Sequence, residues 1–214
     1  MRRMLPVLVL LLATAWPHAA QRSLTPRDVD EALLIGQSRL AADRTRFHNP
    51  YRITVARAPV DYVDVITPFR RVVLAAGERL LIGDRSFGQR QALELLATSG
   101  DTFDFLIELT FHPLNTFVGI PSYDVTLAAG PTRIPPKSID RVPRFRARVD
   151  GLPPSIPTPA LGSVKGPSTQ PMLGGTITAR FGADAIDPAG AIDLVVSDGG
   201  AELARARIDL GRLR

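Results

Sequence analysis

The most regular hydrophobic pattern in the chain is an alternation that begins at Phe103 and continues to Phe111. Every second residue is apolar, whereas Asp104, Glu108 and Thr110 lie between them. A period of two indicates a β-strand with one buried and one exposed face. Similar alternation recurs in residues 123–127, 145–149, 177–181, 192–196 and 203–210. The second half of the chain is therefore predicted to form antiparallel sheets with one wet face.

Helical periodicity appears only in the first half of the chain. Thr25 followed by Pro26 is typical of an N-cap and a first helical position, and Thr67 followed by Pro68 repeats this pair. Helices are predicted in residues 25–48, in the stretch after Thr67 and in residues 84–99. Between the first two, residues 51–55 and 60–66 have the composition of strands.

Together these patterns predict a mainly β fold, an antiparallel β-sandwich that is immunoglobulin-like or similar, with two or three helices in its N-terminal half. Residues 130–143 and 151–175 interrupt the alternation, and the second stretch is rich in proline. We interpret residues 151–175 as a surface excursion of a single domain spanning residues 21–214, because the strands beyond it would make a poorly buried sheet alone.

The first 20 residues have the three parts of an export signal. Arg2 and Arg3 supply the positive start, an apolar run follows to Leu12, and small residues supply a cleavage site after either Ala15 or Ala20. The apolar run is shorter than the roughly 20 residues that span a bilayer. We therefore expect an exported protein, periplasmic or extracellular, with no transmembrane span once the signal is removed.

Composition excludes several classes of function. The chain contains no cysteine, which excludes disulfides, thiol catalysis, cysteine-bound metals and a lipoprotein anchor. Its net charge is +5, and Lys137 and Lys165 are the only lysines, so nearly every cation is a guanidinium that fits carboxylates and phosphates. A nucleic-acid partner is not expected, because the aromatic residues alternate into the predicted core.

Motifs of known chemistry are missing from the sequence. After signal removal the histidines are His48 and His112, which have no metal-ligand spacing, so neither a metal nor a cofactor is expected. A glycosidase needs only two suitably separated carboxylates, and the visible pairs are Asp61 with Asp64, Asp101 with Asp104, and Asp193 with Asp198. Each pair lies at a strand edge or turn, where aspartate commonly binds backbone amides, so no catalytic residue is assigned.

The candidate binding site is a row of arginines in one predicted strand. Alternation places Arg144, Arg146 and Arg148 on one face, with Phe145 and the other apolar residues pointing inward. Arg141 would extend the row. Such a row could bind a polyanion, or its charges could be taken up by ion pairs with acidic residues across the sheet.

These observations lead to one functional expectation and two alternatives. The expectation is an exported, non-catalytic binding or assembly module of the bacterial cell envelope, in contact with an anionic glycan or lipid surface or with another envelope protein. The first alternative is a carbohydrate-active or other hydrolase that uses scattered carboxylates. The second is a periplasmic carrier or chaperone, which would offer a sheet edge or an apolar groove to its client.

Overall fold

A computed structural model of the chain describes residues 24–145 and 172–214. The predicted signal at residues 1–20 lies outside these residues, as does the proline-rich stretch up to residue 171. The described helices are α1 (Pro26–Gly36), α2 (Ala41–His48), α3 (Pro68–Leu81) and α4 (Gln89–Ser99). The described strands are β1 (Arg52–Arg57), β2 (Val60–Ile66), β3 (Thr102–Thr110), β4 (Asp124–Ala129), β5 (Thr132–Ile134), β6 (Ser138–Phe145), β7 (Met172–Gly182), β8 (Ala191–Asp198) and β9 (Ala201–Asp209).

The strands form two antiparallel sheets. The first sheet has the order β1-β2-β3-β7-β6, and the second has the order β5-β4-β8-β9. One cluster of buried residues draws on both sheets, and within it the rings of Phe105 and Phe181 meet edge to face at 5.4 Å. The predicted mainly β, antiparallel fold with N-terminal helices is confirmed, and the shared cluster is the packing that a sandwich requires.

The stretch 130–143, expected to interrupt the sheets, instead contributes β5 and most of β6. β6 is the outermost strand of the first sheet and pairs only with β7 among the described residues. An edge position tolerates Pro143, because a residue without a backbone N–H need not donate to a second neighbour. The other predicted interruption, 151–175, ends too late, since β7 already begins at Met172, and its residues up to 171 lie outside the described ones.

The first predicted helix is divided into α1 and α2, so the described part has four α-helices rather than two or three. α1 ends at Gly36, where it crosses α3. A Cβ atom at Gly36 would collide with the carbonyl oxygen of Val73 and lie 2.7 Å from the Cβ of Ala76. The close crossing therefore requires glycine, and the chain turns away before α2 begins.

Along the chain, α3 and α4 lie between β2 and β3, two strands that pair directly with each other. Ile66 at the end of β2 is opposite Asp104 near the start of β3. Together with α1, the two helices bury a second apolar cluster, which includes Val29, Phe69 and Ala92. The molecule thus contains a two-sheet unit and a helical unit, each with its own buried cluster.

Candidate functional site

A cleft of about 460 Å³ lies between α2 and α3 and is open to solvent. We call it the α2–α3 cleft. Three arginines line it, Arg44 from α2, Arg52 from the start of β1 and Arg70 from α3, and these form its cationic end. Four apolar residues of α3 also line it and form its apolar strip: Val73, Leu74, Leu80 and Leu81.

Arg70 occupies its position because of how α3 begins. The hydroxyl of Thr67 accepts a hydrogen bond from the backbone amide of Arg70 at 3.1 Å, and Pro68 takes the first helical position. This cap fixes Arg70 in the first turn, directly after β2. The N-terminus of a helix carries a partial positive charge, so a cation there is unfavourable. The surrounding residues must therefore supply negative charge or hydrogen-bond acceptors to Arg70.

The side chain of Arg70 is only 5% exposed, and its positive charge is met by polar groups on several sides. Its Nη1 donates to the carboxylate of Asp64 and to the carbonyl oxygen of Val65, the latter at 2.6 Å. Its Nε donates to Nδ1 of His48 at 3.3 Å. The guanidinium carbon also lies 4.8 Å from the centre of the Tyr51 ring. These contacts hold a buried positive charge in one orientation.

His48 is held in its neutral form by the same surroundings. Burial lowers the pKa of the imidazole below its ordinary value of 6.5, and the positive charge of Arg70 lowers it further. A neutral ring keeps a lone pair on Nδ1, which is the atom that accepts the hydrogen bond from Arg70. His48 therefore positions the arginine and adds no charge to the cleft at neutral pH.

The other two arginines of the cationic end are more accessible. Arg52 has 55% of its side chain exposed, pairs with Asp64 at 3.4 Å and stacks 4.3 Å from the centre of the Tyr62 ring. Arg44 donates from Nη1 to the backbone carbonyl of Ser38. Since the carboxylate of Asp64 is shared between Arg52 and Arg70, this end of the cleft can accept a further anion.

The apolar strip continues from the cationic end along α3. Val73 is fully buried against the helical cluster, Leu74 and Leu80 are half-buried, and 82% of Leu81 is exposed. Glu78 lies beside the strip and is the single acidic residue in the lining of this cleft. The cleft thus has a cationic end and an apolar wall, which is the arrangement of an amphiphile-binding surface.

The predicted arginine row is only partly described. Arg144 donates to the carboxylate of Glu108 and to the carbonyl of Leu109 at 3.3 Å, so its charge is taken up across the sheet. Phe145 is 45% exposed beside an irregularity in the register, and the expectation that it points inward is wrong. Arg146 and Arg148 lie outside the described residues.

Arg141 does not extend the row, because it lies on the opposite face of β6. It pairs with the core residue Ile177, whereas Arg144 pairs with Gly174. Paired residues of antiparallel strands share a face, so positions three apart along β6 face opposite ways. The guanidinium of Arg141 donates to the carbonyl of Tyr123, the residue before β4 of the other sheet, at 2.8 Å.

The candidate carboxylates mostly serve as hydrogen-bond acceptors. The Asp61 carboxylate accepts from the hydroxyl of Thr110 at 2.6 Å. Asp104 and Asp193 bind arginines, as Asp64 does: Asp104 binds Arg71 at 3.0 Å and Arg180 at 2.7 Å, and Asp193 binds Arg205 at 3.0 Å. The expectation that Asp104 lies on a wet face is wrong, because its side chain is 8% exposed.

A second cleft, of about 420 Å³, contains two carboxylates, Glu31 and Asp43. A hydrogen bond from Arg214 lowers the pKa of Glu31. A general acid of a glycosidase needs a raised pKa, so Glu31 is adapted to an ion pair instead.

His112 also has a local role, since its Nδ1 accepts a hydrogen bond from the backbone amide of Leu114 at 3.2 Å.

Sequence reasoning overlooked Arg44, Arg52 and Arg70. One signal could have found Arg70: two arginines, Arg70 and Arg71, lie in the first turn of the helix that starts at Thr67-Pro68. Cations are unfavourable in a first helical turn, so their presence indicates specific anionic partners. Those partners are Asp64 for Arg70 and Asp104 for Arg71.

In the described ranges, no three His, Cys, Asp or Glu side chains come together as a metal site would require. No helix among these residues combines the length and apolar character of a membrane span.

Comparisons of the chain with models of known protein families, with curated proteins and with solved structures found no match.

Proposed function

We propose that this chain is an exported, non-catalytic binding module of the bacterial cell envelope and that it contacts an anionic partner through the α2–α3 cleft. The export-signal pattern of residues 1–20 supports the location. The cationic end of the cleft supports the anionic partner. The class of partner is the one expected from the sequence. The proposed contact surface, however, is the α2–α3 cleft and not the arginine row that begins in β6.

The observation that carries this proposal is the fixed, buried guanidinium of Arg70 at an open cleft. Asp64, Val65 and His48 hold Arg70 in place, while the exposed Arg52 stands beside it. A charge that is already oriented loses little conformational entropy when a ligand binds. Exposed arginines that are merely solvated would not be braced in this way.

A carrier is the second candidate function, and the apolar strip favours it. A carrier needs an accessible apolar surface for its client, and the strip exposes Leu81 next to the half-buried Leu74 and Leu80. The hydrolase alternative gains no comparable support, because the carboxylates considered above bind arginines or a hydroxyl.

The proposal is tested by reversing the charge of two arginines of the cleft and, in a control variant with the same change in net charge, of two arginines elsewhere. Arg44→Glu with Arg52→Glu should make the protein elute from phosphocellulose at clearly lower salt than the wild type. The control is Arg133→Glu with Arg207→Glu, two exposed arginines of the second sheet. Arg205 is unsuitable as a control because it binds both Asp193 and Glu202.

Equal loss of retention in the two double variants would remove the cleft as the contact. A third variant, Arg146→Glu with Arg148→Glu, tests the row predicted from the sequence. If that variant alone loses retention, the anionic contact lies in the row and the assignment to the cleft is wrong. Mass spectrometry of the periplasmic fraction tests export, because the mature protein should begin at Trp16 or Gln21.

A further inference from the structure

We infer that the α2–α3 cleft binds a single-chain amphiphile with one anionic headgroup, such as a free carboxylate on an unbranched acyl chain. The headgroup would lie at the cationic end and the chain would follow the apolar strip. This inference rests on the proposed function and deepens it, since it specifies which kind of anion the site accepts.

The order of residues along α3 determines this polarity. Arg70 is in the first turn, Val73 and Leu74 follow one turn later, and Leu80 and Leu81 close the helix. With a rise of about 1.5 Å per residue, the part of α3 from Arg70 to Leu81 is about 16 Å long, and the apolar strip occupies about the last 12 Å of it. An elongated apolar chain that begins at the arginine can therefore follow one helix face over its whole length.

The headgroup chemistry follows from the arginines. A planar guanidinium presents paired N–H donors that match the two oxygens of a carboxylate. Arg70 is committed to Asp64, Val65 and His48, but Arg52 is half-exposed and shares the carboxylate of Asp64. Arg52 is thus the residue that can turn a donor pair toward a ligand, with Arg70 supplying fixed positive charge behind it.

Glu78 limits the ligand to one charged end. It lies on α3 two turns beyond Arg70 and lines the same cleft. A negative group at the far end of the ligand would approach this carboxylate and be repelled. The cleft therefore favours a monocarboxylate over a dicarboxylate of equal length, which an unselective cationic surface would not do.

The apolar strip also distinguishes this ligand from a small inorganic anion. A single exposed leucine is common on protein surfaces and indicates nothing by itself. Here Leu81 lines the cleft together with Leu74, Leu80 and the buried Val73. Each methylene that the wall buries fully should tighten binding about fourfold, so affinity should increase with chain length.

The test is calorimetric titration of the full mature chain with dodecanoate, octanoate, acetate, dodecanedioate and the cationic dodecyltrimethylammonium. Dodecanoate should bind most tightly, octanoate more weakly, and acetate, dodecanedioate and the cation at least tenfold more weakly than dodecanoate. Arg52→Gln should weaken dodecanoate binding about tenfold, and Leu81→Ser about fivefold. The matched controls Arg207→Gln and Leu114→Ser, exposed residues outside the cleft lining, should leave it unchanged.

Different failures lead to different conclusions. If acetate binds as tightly as dodecanoate and both weaken with Arg52→Gln, the amphiphile is wrong while the anionic cleft stands. If Arg52→Gln and Arg207→Gln leave dodecanoate binding equally unchanged, the cleft is not the dodecanoate site and the inference is wrong, whereas phosphocellulose retention of the Arg44→Glu with Arg52→Glu variant decides the proposed function separately. Binding to vesicles of phosphatidylglycerol without any binding of monomeric dodecanoate would replace the soluble ligand with a membrane surface and overturn the inference.

Discussion

The two-sheet unit and the helical unit differ in where they keep their apolar surface. The two sheets bury theirs in a shared cluster that includes Phe105, Ile107 and Leu194. The helical unit has a smaller cluster around Phe69, and α2 buries none of its residues. Each unit also leaves large apolar side chains exposed, among them Leu34 and Ile82 in the helical unit and Val118 and Val142 in the two-sheet unit. The two units therefore differ in the size of the buried cluster and in the place of the exposed apolar groups, because Leu81 lines the α2–α3 cleft, whereas Leu114 and Val118 line neither of the clefts described above.

The two units meet through charged groups. Asp64 of β2 and Asp104 of β3 bind Arg70 and Arg71 of α3, respectively. Such pairs fix orientation more than they add stability, because removing charges from water offsets most of their attraction. The helical unit is consequently aligned on the sheets by directional bonds, and the cationic end of the cleft is part of that alignment.

The largest effect is expected from truncating the sheet cluster. Phe105→Ala should lower the free energy of unfolding by about 3–5 kcal/mol, because the buried ring leaves a cavity. Phe69→Ala, the same truncation in the helical cluster, should chiefly open the helices. Urea denaturation measures the first effect, and hydrogen exchange should show β3 still protected in the Phe69 variant. Equal loss of protection in both units would mean that the two clusters unfold as one.

The charged contact between the units should give the next largest effect. Asp104→Asn leaves Arg71 buried without its counter-ion and should lower the free energy of unfolding by about 3 kcal/mol. Asp193→Asn removes a comparable pair from the second sheet, where 29% of the aspartate side chain is exposed, and should change it by less than about 1 kcal/mol. Thermal denaturation of the two variants at one pH compares them, and a similar shift in both would argue against a buried contact.

The crossing of α1 and α3 offers a smaller effect. Gly36→Ala places a Cβ against Val73 and Ala76, and such overpacking should destabilise the helical unit by about 1–3 kcal/mol. Gly77→Ala is the matched control, because its Cβ would lie 3.5 Å from the carbonyl oxygen of Gly36, an ordinary contact. The control should be stabilised by about 0.5–1 kcal/mol, since alanine is the better helix former. Chemical denaturation should give opposite signs for the two variants.

The smallest effect should be a change in pH dependence. Burial lowers the pKa of His48 in the folded chain, so the unfolded chain binds more protons as the pH falls through 6.5. The free energy of unfolding should therefore decrease with acidification in this window and stop responding to His48 below its lowered pKa. His48→Asn should flatten this slope, whereas His112→Asn should retain it. Urea midpoints between pH 5 and 7.5 measure the difference, and identical slopes for both variants would contradict the lowered pKa.

Sequence patterns predicted the elements whose burial is one-sided. β3 was recognised because Phe103 and every second residue after it enter the cluster between the sheets. β6 was largely missed because nearly all of its residues are at least partly exposed, so no alternation marks it. The division of the first helix was missed for a different reason: the helical spacing of Val29, Leu33 and Leu40 continues past Gly36, although a glycine is itself a local stop signal.

The candidate site was less predictable than the fold. Arg70 depends on Asp64 and His48, which belong to different elements and follow no shared spacing. The row of arginines in the predicted strand had a visible period, yet Arg144 is bound to Glu108 and Arg141 lies on the other face. Charged side chains are placed by long-range contacts, whereas apolar side chains follow the period of their own element.

The pairing of Ile66 with Asp104 means that everything between them is an insert in what is otherwise a β-hairpin. A short turn could join β2 to β3 without altering the strand order, so changes of length or composition there need not propagate into the sheets. The apolar strip lies within this segment, whereas Arg44 and Arg52 precede it, so exchange of the segment would alter the wall that meets the acyl chain and leave the two accessible arginines in place.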